Sequence, residues 1–233
     1  MLRTTPSHGA AHVASTFDAC RPPLSQRRRV LPLAALAIAA CMNGASYAIE
    51  IVSIEEHWSL SIGAPDAASS SPQVSMVMSP TGHLESSYFV FTLNHHSDPS
   101  WIPGGLQVQF WNGEEIVESK VGPQEDTLNH AEEVVSWVQR TSIDDGSLTF
   151  EITSGQSDTW GAFGSAGHLK FTVDTNLSSL NAYRPAVSLE ESGVSFAGNR
   201  VRSLTLTKLR WTDAEGHTYE MVAPIDVDAD LDP

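Results

Sequence analysis

The stretch EVVSWVQRTSIDDGSLTFEITSGQSDTWGAFGSAGHLKFTVDT, Glu133–Thr175, decides the fold. Leu148, Phe150 and Ile152 alternate with Thr149, Glu151 and Thr153, and Leu169, Phe171 and Val173 alternate with Lys170, Thr172 and Asp174. A period of two between turn-forming clusters marks strands with one buried and one solvated face. Asp144-Asp145-Gly146 and the glycines from Gly155 to Gly167 supply the turn chemistry that reverses the chain between them. The stretch predicts an antiparallel meander.

The same alternation recurs on both sides of this stretch. Val74, Met76 and Met78 share one face, as do Phe89, Phe91 and Leu93, and Leu106, Val108 and Phe110. Asn112-Gly113 follows the last of these as a hairpin signal. Ile49–Ile62 alternates as well, and its Glu-rich middle suggests a bend or an edge. Arg200–Trp211 changes apolar phase between Leu206 and Leu209, which predicts a β-bulge at Thr207-Lys208. His217–Ala223 would pair back across the Asp213–Gly216 turn. A short helical turn is expected at 127–131, and 176–194 reads as loop with short extended pieces. Nine to twelve short strands with little helix and no internal repeat predict an all-β domain. Its expected form is an antiparallel two-sheet β-sandwich of jelly-roll type with at most one short helix, the alternative being a β-barrel.

Residues 1–48 read as an export leader. Arg27-Arg28-Arg29 precedes the apolar run Val30–Ala40, and Ser46-Tyr47-Ala48 offers small residues at a cleavage site. The run is shorter than the roughly 20 apolar residues of a membrane span. Ile38-Ala39-Ala40-Cys41 resembles a bacterial lipobox, whose alternative processing would lipidate Cys41 and anchor the product to a membrane. The expected location is outside the cytoplasm: periplasmic, extracellular or at the cell surface. Both cysteines of the chain, Cys20 and Cys41, lie in this leader, so no disulfide holds the domain. Residues 49–223 are read as the single β-sandwich domain and 224–233 as an acidic tail.

The chain carries a formal net charge of −15. After residue 48 it has 8 Lys+Arg against 27 Asp+Glu, a net −19. Such a surface repels nucleic acid and anionic headgroups and tolerates neutral ligands and cations. No G-x-S-x-G, H-E-x-x-H or phosphate-loop signature is present. The adjacent acids Glu55-Glu56, Glu114-Glu115 and Asp144-Asp145 cannot act as glycosidase pairs by themselves, because neighbours on a strand face opposite ways. A hydrolase would need Glu114 or another acid to meet a carboxylate from a different strand. His95-His96-x-Asp98 is the densest set of metal-type ligands and would take a divalent ion with help from elsewhere.

The aromatic residues carry the leading expectation. Trp58 and Trp211 occupy core positions, whereas Trp111 shares its face with Gln107 and Gln109, and Trp101 and Trp160 stand in loops. Flat aromatic surface beside amides suits a sugar ring, which has an apolar face and a hydroxyl rim. Trp111, Gln107, Gln109, Trp101 and Trp160 are therefore the expected ligand contacts of a non-enzymatic protein that binds an extracellular glycan or another surface protein, with no resident cofactor. A glycoside-cleaving hydrolase and a ligand-free structural surface protein are the two alternatives.

Overall fold

A computed structural model describes residues 49–64, 71–94, 105–128, 130–197 and 200–227. Among these residues twelve strands and one helix follow in chain order. These are β1 (Ile51–Ile62), β2 (Gln73–Met78), β3 (Ser87–Leu93), β4 (Leu106–Asn112), β5 (Glu115–Val121) and β6 (Val134–Asp144). Then come β7 (Ser147–Ser157), β8 (Gly161–Phe163), β9 (Lys170–Asp174), α1 (Pro185–Glu191), β10 (Gly193–Phe196), β11 (Val201–Asp213) and β12 (Thr218–Asp226). A seven-stranded sheet has the order β12-β11-β1-β6-β7-β8, with β9 also on β7, and a five-stranded sheet has the order β10-β2-β3-β4-β5. Every strand pairing is antiparallel. The two sheets are not closed into a barrel; the fold is a β-sandwich.

The apolar phases read from the sequence become the shared core. Leu148, Phe150, Ile152, Leu169 and Phe171 from the first sheet meet Met76, Met78, Phe89, Phe91, Leu93, Leu106 and Val108 from the second. Aromatic rings bridge the gap: Phe89 stacks on Phe150 at 4.8 Å between centroids, and the edge of one ring meets the face of the other where Phe91 and Trp137 lie 6.0 Å apart. Asp145-Gly146 turns β6 into β7 with both residues at positive φ, 43° and 74°, which matches the twist of the strands it joins. Gly155 admits the Phe163 ring, which lies 2.0 Å from where a Cβ would stand.

The bulge expected at Thr207-Lys208 is present. His57 pairs with Lys208 and Trp58 with Leu206, so Thr207 is the extra residue, and its hydroxyl donates to the His57 carbonyl at 2.9 Å.

Several expectations are corrected. The Glu-rich middle of β1 is neither a bend nor an edge; β1 is an unbroken twelve-residue strand between β11 and β6. It stays regular because Glu55 faces out and Glu56 faces in, each with its own partners. The helical turn expected at 127–131 is not formed by its described residues, 127, 128, 130 and 131. There Leu128 is buried, its N–H donates to Asn94 Oδ1 at 3.1 Å, and the chain turns at residues 131 and 132 with Glu132 at φ 59°. The helix lies instead at Pro185–Glu191, with proline in its first turn. The β4–β5 hairpin turns one residue later than Asn112-Gly113 suggested, because Asn112 pairs with Glu115 across Gly113-Glu114. At the C-terminus β12 runs on through Pro224 to Asp226, with Ile225 buried.

Candidate functional site

The outward face of the five-stranded sheet is set by the residues that alternate with the core. Strand register arranges them in three rows. Tyr88, Trp111 and Ile116 form the first; Val77, Val90, Gln109 and Ser119 the second; Ser75, Thr92, Gln107 and Val121 the third. None of these eleven residues is an acid or a base, on a chain whose net charge is −15. Val77, Val90 and Thr92 are buried, Trp111, Gln107 and Gln109 are half-buried, and the face opens fully over Ile116, Ser119 and Val121.

Trp111 organises the first row. Its ring lies 5.8 Å from Tyr88 with planes only 15° apart, so the two aromatics stand side by side on neighbouring strands. Stacking occupies one face of the indole and leaves the other on the Ile116 side. The indole N–H donates to Gln109 Oε1 at 3.4 Å, which fixes the orientation of that amide. The Gln107 side chain makes no hydrogen bond among the described residues. An amide held in place, a second amide with open donors and acceptors, and an aromatic pair offer contacts to a neutral, hydroxyl-rich molecule.

The expected contacts thus divide. Gln107, Gln109 and Trp111 are brought together on one face. Trp160 is placed elsewhere: only 8% exposed, it meets Phe163 at 87° between ring planes, and its indole N–H donates to the Asp126 carbonyl at 2.7 Å. The loop position that suggested a ligand contact is pinned by Glu133, whose carboxylate accepts from Ser157 Oγ, Thr159 N and Thr159 Oγ1 at 2.5 to 2.8 Å. Trp101, His95, His96, Asp98 and Cys41 lie outside the described residues. Among the described residues no three His, Cys, Asp or Glu converge in a way that could hold a metal ion. Tyr88 was missed in the sequence, although its alternation with Phe89 and Phe91 already put it on the outer face.

The opposite outward face has a different chemistry. Across six strands of the seven-stranded sheet, register aligns Glu220, Arg210, Glu55, Arg140, Glu151 and Lys170, with the sign of charge alternating at each step. Glu55 lies 3.8 Å from Arg140 and 3.7 Å from Arg210, Arg140 bonds Glu151, and Lys170 is 4.0 Å from Glu151. Beside this ladder runs a row of hydroxyls, Thr218, Thr212, Ser53, Ser142, Thr149 and Thr172, with Thr149 and Thr172 bonded at 3.1 Å.

Directly beneath the ladder is Glu56, entirely buried. Trp58 Nε1 and Gln139 Nε2 donate to its Oε2 at 2.8 and 2.7 Å, and Tyr183 OH donates to Oε1. Burial pushes its carboxyl above the ordinary value, against the pull of those donors, and burial also holds the Tyr183 phenol well above its own. The carboxyl ties the Tyr183 segment to β1, where Asn181 also accepts from Ile51 N at 2.8 Å.

A surface cleft of about 260 Å³ is lined by residues including Thr81, Ser86, Leu148 and Asn176, with Asp174 its one acid. It brings no pair of carboxylates together. Glu114 sits exposed in the β4–β5 turn.

Fold and faces define a class: an antiparallel β-sandwich with one charge-laddered face and one uncharged aromatic and amide face. Comparison with known protein families, curated proteins and solved structures finds no match for the chain.

Proposed function

We propose that this protein is an exported, non-enzymatic β-sandwich that binds a neutral extracellular glycan on the outward face of its five-stranded sheet. One observation carries the reading: three strand-registered rows without a single charge, centred on Trp111, Gln107 and Gln109, on a strongly acidic chain. A neutral sugar approaches such a face without the repulsion an anion would meet, and its apolar ring face suits the half-buried indole of Trp111. Its hydroxyls suit the Gln107 and Gln109 amides, which donate and accept together. Affinity on so open a face is expected to be modest and to grow with the number of sugar rings in contact.

The test is a glycan-array screen of the purified protein and its Trp111→Ala variant, with and without calcium. The reading expects binding to neutral glycans that the variant loses while its circular dichroism stays that of a β protein. Binding to no glycan would contradict it and favour a structural surface protein. Hydrolysis of a bound glycan would contradict the non-enzymatic part and direct attention to the exposed carboxylates.

A further inference from the structure

We propose that β5 is a self-pairing edge that joins two copies of this chain, antiparallel and centred on Ser119. The inference does not depend on glycan binding. β5 ends the five-stranded sheet and, among the described residues, pairs only with β4, so its far side presents backbone N–H and C=O groups. Six of its seven residues are exposed, and Ile116, Val117 and Val121 are 42%, 57% and 53% exposed. The other edge of this sheet is guarded differently: β10 has four residues and a break in its register. On the other sheet, edge strand β12 contains Pro224. β5 contains no proline.

The choice of a second copy as occupant rests on charge complementarity. Within one chain Lys120 Nζ lies 3.4 Å from Glu118 Oε1 and donates to the Lys170 carbonyl at 3.0 Å. In an antiparallel pair centred on Ser119, Glu118 of each copy also faces Lys120 of the other, and Val117 faces Val121. Slipping the register by one residue, so that the two-fold axis falls between Ser119 and a neighbour, sets both charges against uncharged residues. Moving it to Glu118 or Lys120 sets like charges against each other, which destabilises a cross-strand pair. Register is thus specified by the sequence Val117-Glu118-Ser119-Lys120-Val121. The bulge at Val117, where Phe110 pairs with Glu118 and Trp111 with Ile116, limits the regular stretch and keeps the contact short. An interface of this length falls below the area of stable complexes, so the dimer forms and dissociates with concentration. The two-fold axis stands normal to the sheet. It closes the assembly at two copies and makes one ten-stranded sheet with both uncharged faces on the same side.

Sedimentation velocity of the full chain between about 1 µM and about 1 mM should follow a monomer–dimer equilibrium. Glu118→Lys should weaken it at least ten-fold, and adding Lys120→Glu to that variant should restore it. A thiol scan reads the register independently of that pair. With Cys20 and Cys41 replaced by Ser, Ser119→Cys should oxidise to a covalent dimer, since directly opposed residues lie about 4.5–5.5 Å apart at Cα and a disulfide spans about 4.4–6.8 Å. Val117→Cys and Val121→Cys, each alone, should not. A monomer throughout the range without crosslinking at Ser119, assemblies larger than two, or equal crosslinking at all three positions would overturn the proposal.

Discussion

The two outward faces of the sandwich are made by the same device, alternate residues of antiparallel strands, and end with opposite chemistry. On the seven-stranded sheet Glu220, Arg210, Glu55, Arg140, Glu151 and Lys170 neutralise one another in register. On the five-stranded sheet Tyr88, Trp111, Gln109 and Gln107 carry no charge at all. A face whose charges are already paired gains little from a ligand that would have to displace those pairs. A face with an open amide and an indole side has contacts still to make. An overall charge of −15 therefore says little about either surface, because the acids of one are paired with bases and the three rows of the other contain none.

The largest expected effect lies just beneath the ladder. Glu55 and Glu56 are neighbours on β1, yet one is solvated among arginines and the other is enclosed among neutral donors. Removing Glu56 as Glu56→Ala orphans Trp58 Nε1, Gln139 Nε2 and Tyr183 OH in the core and should cost about 3 kcal/mol, read by urea denaturation. Glu55→Ala should cost less than about 1 kcal/mol. The pH dependence separates them further. Burial raises the folded value of Glu56 above 4.5. A raised carboxyl contributes stability that is fully present below 4.5 and lost as pH rises through the folded value. Glu56→Gln keeps the shape and does not titrate, so its stability relative to the parent should increase as pH rises from 4.5 to the folded value and level off above it.

Reversing one rung of the ladder comes next. Arg140→Glu would set three carboxylates side by side with Glu55 and Glu151 and should destabilise by about 2 kcal/mol, while leaving glycan binding unchanged. Trp111→Ala should do the opposite. It should weaken binding at least about ten-fold, or about 1.4 kcal/mol, with a smaller change in thermal midpoint than Arg140→Glu. The smallest effect is that of salt. Raising ionic strength to about 1 M should remove about 0.5 kcal/mol from the ladder and leave neutral-ligand affinity unaltered.

Much of this arrangement is legible in the sequence, and the limits have physical causes. The apolar phases of β2, β3, β4, β7 and β9 were readable because alternation is local, and so was the bulge at Thr207. β1 was misread at its centre because Glu55-Glu56 looks polar on both sides, and it is the donors Trp58, Gln139 and Tyr183 that make an inward carboxyl tolerable. The helix at Pro185–Glu191 is too short to show periodicity. Gln107, Gln109 and Trp111 were legible as a face because they alternate on one strand. Trp160 was not legible as core, because its burial depends on Glu133 and Asp126, far away in sequence. The ladder required strand order and register, which alternation within each strand does not contain.

The most direct test of the central claim is nuclear magnetic resonance of the six tryptophan indole N–H groups during titration with a neutral oligosaccharide from the array. Trp111 is identified by the signal that Trp111→Phe removes. Trp58, Trp137 and Trp160 are buried and serve as internal references. The Trp111 signal should shift with saturation while those three stay in place. A ligand that binds and leaves Trp111 unmoved while perturbing backbone signals around Glu55 and Arg140 would contradict it.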